Sequence, residues 1–537
     1  MIVHLFKHHV ILLLLGLLIG CNQHSDSLPS SPGTESSFNQ PTQPNRSQES
    51  LAQPPVVLFD SYHAHNFIHR GLRSGEYSYH SITGLRRAVE LLRQRGCEVR
   101  ETLVGPITKE LLSGVNCIVI NLPSMDRPPF LVDEVILLEE YVRLGGGIVF
   151  ITDHSNCYYH QYHLLPLLNR LGIRPTFETV CELGSPHQLS DQGPGWLLID
   201  QFQPHPITRT LHAIAIQTGG RVIGDSVIAS TGPMAWADMG AVPFYGDGDI
   251  GLYGDMTYSS AEERGPQGIV LAQEIDAGRV TVISDQNCLG DALIAYADNH
   301  RLWLNSVSWT GRIELELKSP ASAQHQDRWN AWCWEPISVV PKSDSTQNRF
   351  QWGGDDEHQF HSFWVWLNRT QWTEASDQLR NPSELQGMRE LLFVTDGCLH
   401  YPECQQAVQK TLLSGGRVVW LTDLVPTDGQ IEVSAQAIHP VESTLDASDA
   451  FMLEIVDTKT YWRARESLDR QQSQELLAVM LVPFAEHADP DWTPHEQSEI
   501  VLVDSNLLRN ASFLSPTQQP DRRQQKLEQR LTALLFE

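Results

Sequence analysis

Short apolar runs, each bounded by glycine or polar residues, recur along the chain, with amphipathic stretches between them. Pro55–Asp60, PVVLFD, is the first run. Ser81–Arg95 follows. Ile82, Leu85, Val89 and Leu92 fall there at spacings of three and four, with arginines between them. That period predicts a helix with one apolar face, and Gly96 supplies its stop. Cys97–Thr102 predicts a second strand, Thr108–Leu112 a helical turn, and Cys117–Asn121 a third strand. Val132–Leu144 predicts a second helix, supported by Glu139 and Arg143 one turn apart. Gly145–His154, GGGIVFITDH, then reads as a buried parallel strand ending in Asp153 and His154. Alternation of strand and helix in steps of about 30 residues predicts a doubly wound, mostly parallel α/β sheet.

The pattern continues and then repeats. Gly278–Asp285, GRVTVISD, predicts a further strand ending in aspartate, and His300–Trp309 a closing helix. Between them, Pro175–Gly268 is rich in Gly and Pro and predicts loops and short strands over the core. Composition shifts over residues 318–350, which are expected to link two domains. Beyond that point Leu391–Asp396 predicts a strand and Glu403–Leu413 a helix. Gly415–Asp423, GGRVVWLTD, matches GGGIVFITD at Gly145–Asp153. Ile500–Asn506 matches Val280–Asn287 once one residue is skipped, and Gln525–Phe536 parallels the helix at His300–Trp309. Two matches in one order point to an internal repeat. The fold class expected is α/β, two tandem doubly wound units spanning 55–317 and 351–537.

The first residues change the picture of where the chain works. Lys7 precedes the apolar segment Val10–Ile19, which is short for a bilayer span. Leu18-Ile19-Gly20-Cys21 resembles the lipobox of bacterial lipoproteins. That resemblance implies a signal peptide over 1–21, lipid on Cys21, and a place in the cell envelope, with Asn22 favouring the outer membrane, facing the periplasm or the cell surface. Residues 22–54, rich in Ser, Pro, Gln and Asn, are expected to be a disordered tether. The net charge of −27 argues against nucleic acid as a partner. Of nine cysteines none forms a CxxC pair, which removes a zinc ribbon from consideration. Cys398 and Cys404 are close enough in sequence to pair; Cys97 and Cys117 read as small buried apolar residues.

With these elements in place, the first unit resembles the class I glutamine-amidotransferase-like fold. More narrowly, it is similar to uncharacterised bacterial proteins carrying that flavodoxin-like domain. The residues that carry this are VVLFDSYHAHNF, GEYSYHSITGLRRAVELLRQRGCEV, EEYVRLGGGIVFITDH, HPITRTL at His205–Leu211 and GRVTVISDQNCLGD at Gly278–Asp291. The second unit shares only the strand pattern. The family's nucleophile stands on a Gly-x-Cys-x-Gly elbow. Cys157 lies in HSNCYYH, and Gly397-Cys398 is followed by Leu399-His400, so neither forms that elbow.

Ligand groups collect at the carboxyl ends of strands in such sheets. The candidate binding residues are therefore Asp60, His63 and His65 after the first strand, Asp153 and His154 after the opening glycine-led strand, and Asp285 after a later one. His160 and His163 lie just beyond. Carboxylates and imidazoles together suit a divalent metal or an acid/base pair; Asp at a strand end equally caps the next helix. Tyr62, Tyr77, Tyr79, Tyr158, Tyr159 and Tyr162 are expected nearby and suit stacking of a sugar or peptide. A second aromatic group comprises Trp329, Trp332, Trp334, Trp352, Trp364, Trp366 and Trp372. Trp364 and Trp366 alternate as in a strand, and the group reads as core between the units in preference to a carbohydrate platform. Gly246–Asp249, GDGD, lacks the calcium-loop pattern and reads as a turn. No cofactor motif is present. Two readings follow. In the first, the chain is a lipid-anchored, non-catalytic envelope protein that binds a glycan or an envelope partner. In the second, it is a hydrolase, metal-dependent or not, using the Asp/His rim.

Overall fold

Five parallel strands form the centre of the first sheet: β1 (Val56–Asp60), β2 (Glu98–Thr102), β3 (Cys117–Asn121), β4 (Gly147–Ile151) and β12 (Gly278–Ile283). Their spatial order is β2-β1-β3-β4-β12, and every neighbouring pair is parallel. The computed structural model describes residues 53–65, 82–174, 176–190, 193–240, 253–315, 329–337, 350–354, 356–377, 388–399, 401–422, 424–427, 430–433, 441–442, 499–514 and 518–536. Residues 1–52, with the expected signal peptide, Cys21 and nearly all of the expected tether, lie outside the described residues, as do Tyr77, Tyr79 and Gly246–Asp249.

The alternation of side chains along each strand builds two cores. Val57, Phe59, Val119, Val149, Ile151 and Ile283 face one side, under α1 (Arg86–Gln94) and α4 (Asn299–Gly311). Trp303 of α4 ties the two helices together by donating its indole N–H to the Ala88 carbonyl at 2.9 Å. Leu58, Ile118, Ile120, Phe150, Val280 and Val282 face the other side, under α2 (Val132–Arg143) and α3 (His160–Arg170). Both faces are covered, so the strands read as unbroken apolar runs. The glycine that opens β4 serves this packing: a Cβ on Gly147 would sit 2.3 Å from the Thr310 carbonyl oxygen of α4.

The sheet is extended in antiparallel fashion by β11 (Gly268–Ile275), β9 (Val227–Ser230) and β7 (Gln201–Phe202). Two further antiparallel pairs lie in the Gly- and Pro-rich region: β5 (Glu178–Cys181) with β10 (Trp236–Met239), and β6 (Trp196–Ile199) with β8 (Ile214–Gln217).

The second sheet repeats the order of the first. β14 (Thr373–Ser376), β13 (Trp329–Trp334), β15 (Arg389–Thr395), β16 (Arg417–Thr422) and β20 (Glu499–Asp504) lie side by side in that sequence, all parallel. β16 is the counterpart of β4, and β20 of β12. Helices α5 (His361–Thr370), α6 (Pro402–Leu413) and α8 (Arg522–Phe536) occupy the chain positions of α1, α2 and α4. The short α7 (Ser505–Leu508) follows β20 directly. A small antiparallel ribbon, β17 (Leu424–Thr427), β18 (Gln430–Val433) and β19 (Val441–Glu442), follows β16.

Three expectations are corrected here. The stretch 318–350 is not only a linker, because it contains β13, the counterpart of β1. Trp364 and Trp366 lie on helix α5, not on a strand. Residues Ser362–Asn368 are all buried there, and a helix buried on every side shows no amphipathic period. Cys398 and Cys404 are separate buried thiols; the Cys398 Sγ lies 3.2 Å from the Thr395 hydroxyl and 3.4 Å from the Trp334 carbonyl.

Residues 54–537 form one unit, and a shared apolar core joins the two sheets. Ala292, Leu293 and Tyr296 of the first pack there with Trp352, Phe360, Phe363 and Trp364 of the second. The backbone of 295–297 pairs with Ala375 at the edge of β14, through bonds of 3.1 and 3.0 Å. The Tyr296 hydroxyl donates to the buried Glu335 carboxylate. The tryptophan group is therefore core, as Trp332, Trp334, Trp352 and Trp364 are at most 1% exposed.

Candidate functional site

The carboxyl ends of the first sheet carry the residues singled out from sequence, and the structure sorts them into two groups. Asp60 ends β1, and the chain turns so that His63 folds back over it. His63 Nδ1 lies 2.8 Å from Asp60 Oδ2, and its Nε2 lies 3.6 Å from Glu134 Oε1. The His63 ring stacks on Phe130 with centroids 4.0 Å apart. Glu134 sits in the first turn of α2. It also takes the backbone N–H of Leu131 at 2.8 Å and of Ile107 at 2.6 Å. All three residues of this group are buried. Burial opposes a charge on His63, but Asp60 and Glu134 outweigh it and raise the imidazole to about 9. Asp60–His63–Glu134 is thus a buried imidazolium held between two carboxylates.

The second group lies at the ends of β4 and β12. Asp153 is 4% exposed and Asp285 is wholly buried. Burial and then the charge of Asp285 push the Asp153 carboxyl well above the carboxylate range. Burial raises Asp285 to about 7, against the pull of three backbone N–H donors. Those donors are Gln217 at 2.8 Å, Asn287 at 2.9 Å and Cys288 at 3.2 Å. The hydrogen bonds from three backbone N–H groups moderate the rise at Asp285. A backbone segment seals the pair. Gly220 donates its N–H to the Ser284 carbonyl at 2.7 Å. Any Cβ there would lie 2.5 Å from the Asp153 carbonyl oxygen, so only glycine lets this cover close.

The histidines serve different ends. His154 is buried, lies against the ring of Tyr253 at 4.4 Å and contacts Ser155 Oγ through Nδ1 at 3.0 Å. His160 starts α3 and ties the preceding turn: its Nδ1 meets the Cys157 carbonyl at 2.7 Å, and its Nε2 accepts the Asp153 N–H at 3.3 Å. Burial drops its pKa to about 4, which fits this neutral, structural role. His65 stacks on Tyr158 at 3.6 Å and lies 3.8 Å from the Asp126 carboxylate. Burial, followed by the charge of His63, lowers the pKa of His163.

The turn between β4 and α3 carries a group of aromatic rings. Tyr158 and Tyr159 are half-buried, and Tyr162 is 38% exposed. Tyr159 meets Tyr162 at 6.1 Å, and Tyr162 meets Phe177 at 5.6 Å. The turn that carries them is strained. Ser155, Tyr158 and Tyr159 all have left-handed backbone, with φ of +46, +54 and +63°. Each such non-glycine residue costs about 1–2 kcal/mol.

Sequence reasoning missed Glu134, which looks like an ordinary first-turn acid, and Cys157, whose role depends on the turn geometry. It also missed Asn121, at the end of β3. That residue is 2% exposed, and neither side-chain polar atom has a hydrogen-bond partner among the described residues. An alternation count along β3 would have placed it on the face shared with Cys117 and Val119.

No family model matches the chain, and no curated sequence matches it. Solved structures similar to it cover about half of it. One is the mmIFT52 N-terminal domain, at 16% identity over 48% of this chain and 97% of that one, with a TM-score of 0.34. A cytoplasmic protein from Salmonella typhimurium LT2 is 15% identical over 48% of this chain and 99% of its own, with a TM-score of 0.31. A ThuA-like protein from Bacteroides uniformis is 14% identical over 50% and 95%, with a TM-score of 0.27. At these scores the likeness carries no argument about function, and the doubly wound α/β assignment stands on the strand order itself.

Proposed function

We propose that the chain is a non-catalytic, lipid-anchored envelope protein that binds a saccharide on the tyrosine rim of its first sheet. One observation carries the reading: Tyr158 and Tyr159 hold consecutive left-handed backbone in a turn that keeps both rings half-exposed, while the neighbouring Asp153 is buried. Strain of this kind persists where the surroundings over-determine it, and it clusters at binding sites. The turn is braced by the Met125 N–H on the Tyr158 carbonyl and by the Tyr159 N–H on the Asn156 carbonyl, both at 2.9 Å. Half-exposed tyrosines offer an apolar face for a sugar ring and a hydroxyl for its polar edge. The lipid anchor rests on the Cys21 motif. Screening the full chain on a glycan array tests the reading. Binding to a saccharide class, abolished in Tyr159→Ala, supports it; a blank array with folded protein counts against it.

A second reading is a hydrolase. The observation in its favour is the Asp153/Asp285 pair, two buried carboxyls both raised above the carboxylate range, as in an acid/base device. Turnover of a glycoside or peptide panel that disappears in Asp153→Asn would move the assignment to this reading.

A further inference from the structure

The turn after β4 brings three unlike donors to one point. One ligating atom each of Asp153, His154 and Cys157 lies within 4.8 Å of the other two. The residues are 4, 6 and 2% exposed. We propose that this turn holds one transition-metal ion of the zinc class, through a carboxylate oxygen, an imidazole nitrogen and a thiolate sulfur.

The donor chemistry selects the metal. Sulfur and imidazole favour zinc and its neighbours, whereas calcium and magnesium take oxygen donors. Tetrahedral zinc with bonds of about 2.0–2.3 Å sets its ligands roughly 3.3–3.7 Å apart, so the three atoms need to close by about 1.5 Å at most. The second shell is in place. His154 Nδ1 contacts Ser155 Oγ at 3.0 Å, while its Nε2 lies 3.9 Å from Asp153 Oδ1. A partner on one ring nitrogen fixes the orientation of the other toward a metal. His160 braces the turn from behind, through the Asp153 N–H and the Cys157 carbonyl. Three protein ligands leave the fourth tetrahedral position to water.

Binding would replace the thiol proton of Cys157 and the carboxyl proton of Asp153 with metal bonds and release both protons to solvent. The inference does not depend on the saccharide reading, because its test reads the metal alone.

The test uses the full chain, stripped with a chelator and titrated with cobalt(II). The expected result is one equivalent bound, with the intense visible bands of tetrahedral cobalt and a sulfur-to-cobalt charge-transfer band. Cys157→Ser should lose the charge-transfer band. His154→Ala should bind at least tenfold more weakly, while His163→Ala should bind as the wild type does. Zinc should displace the cobalt. Folded wild-type protein that gives no tetrahedral cobalt spectrum overturns the proposal without any variant, and so does a charge-transfer band that survives in Cys157→Ser.

Discussion

Burial and then the charge of Asp285, at the end of β12, raise the carboxyl of Asp153 at the end of the neighbouring parallel strand β4. The pair is closed over by the Gln217–Gly220 backbone, so it cannot shed this cost to water. Both carboxyls therefore hold their protons to higher pH than exposed carboxyls do.

That arrangement sets a pH dependence. The folded pKa of Asp285 is raised from 3.8 to about 7. Its contribution to stability is then fully present below pH 3.8 and is lost as pH rises through 7. Wild-type protein should unfold at lower urea concentration at pH 8 than at pH 5, by an amount on the order of 3 kcal/mol at most. Asp285→Asn removes the titrating carboxyl and should abolish the difference. An unchanged pH profile in that folded variant would contradict the raised pKa of Asp285.

His63 gives a second, higher window. Its pKa is raised from 6.5 to about 9 between Asp60 and Glu134. Its stabilisation is fully present below pH 6.5 and disappears as pH rises through 9, at about 3 kcal/mol over the whole span. Glu134→Gln should lower the His63 pKa, which NMR titration of the ring protons would show directly. A ring that titrates at the same pH in both proteins would rule out the carboxylate as the cause.

Arg87 joins the two sheets. It is buried on α1 and donates to the Asn368 side-chain oxygen at 3.1 Å, to the Asn368 carbonyl, and to the Gln371 carbonyl at 3.2 Å. Its guanidinium lies 5.0 Å over the Trp372 ring. Arg87→Ala would orphan these acceptors at the end of α5, costing about 3–5 kcal/mol. Denaturant unfolding, a single transition in the wild type, should split into two as the second sheet loses its tie to the first. A single, unshifted transition would show that the shared apolar core suffices.

The anchor is separately testable. Cys21→Ser should move the protein from the membrane fraction to the soluble fraction of its host envelope, and mass spectrometry should find lipid on Cys21 of the wild type alone. Equal partition of both proteins would remove the lipid from the account.

Much of the architecture was legible because buried parallel strands announce themselves as short apolar runs. Cys117–Asn121 was bounded correctly from sequence, and the echo of GGGIVFITD in GGRVVWLTD marked β4 and β16 as equivalent central strands. The helix α5 was not legible. Phe363–Leu367 is apolar throughout, and the W-x-W spacing imitates a strand. β13 was missed because WNAWCW sits inside a stretch of polar composition. The site residues were found by type and place, but their grouping was not. Whether a strand-end aspartate meets Glu134 or Asp285 depends on which face of the sheet it turns to, and sequence spacing does not encode that.

The proposed binding mode puts the ligand on the tyrosine rings and not on the buried acids. Isothermal titration with the saccharide class identified on the array tests it most directly, comparing wild type, Tyr159→Ala and Asp153→Asn. The account predicts at least a tenfold loss of affinity in Tyr159→Ala, equivalent to about 1.4 kcal/mol, and wild-type affinity in Asp153→Asn. Affinity retained in Tyr159→Ala and lost in folded Asp153→Asn would contradict it.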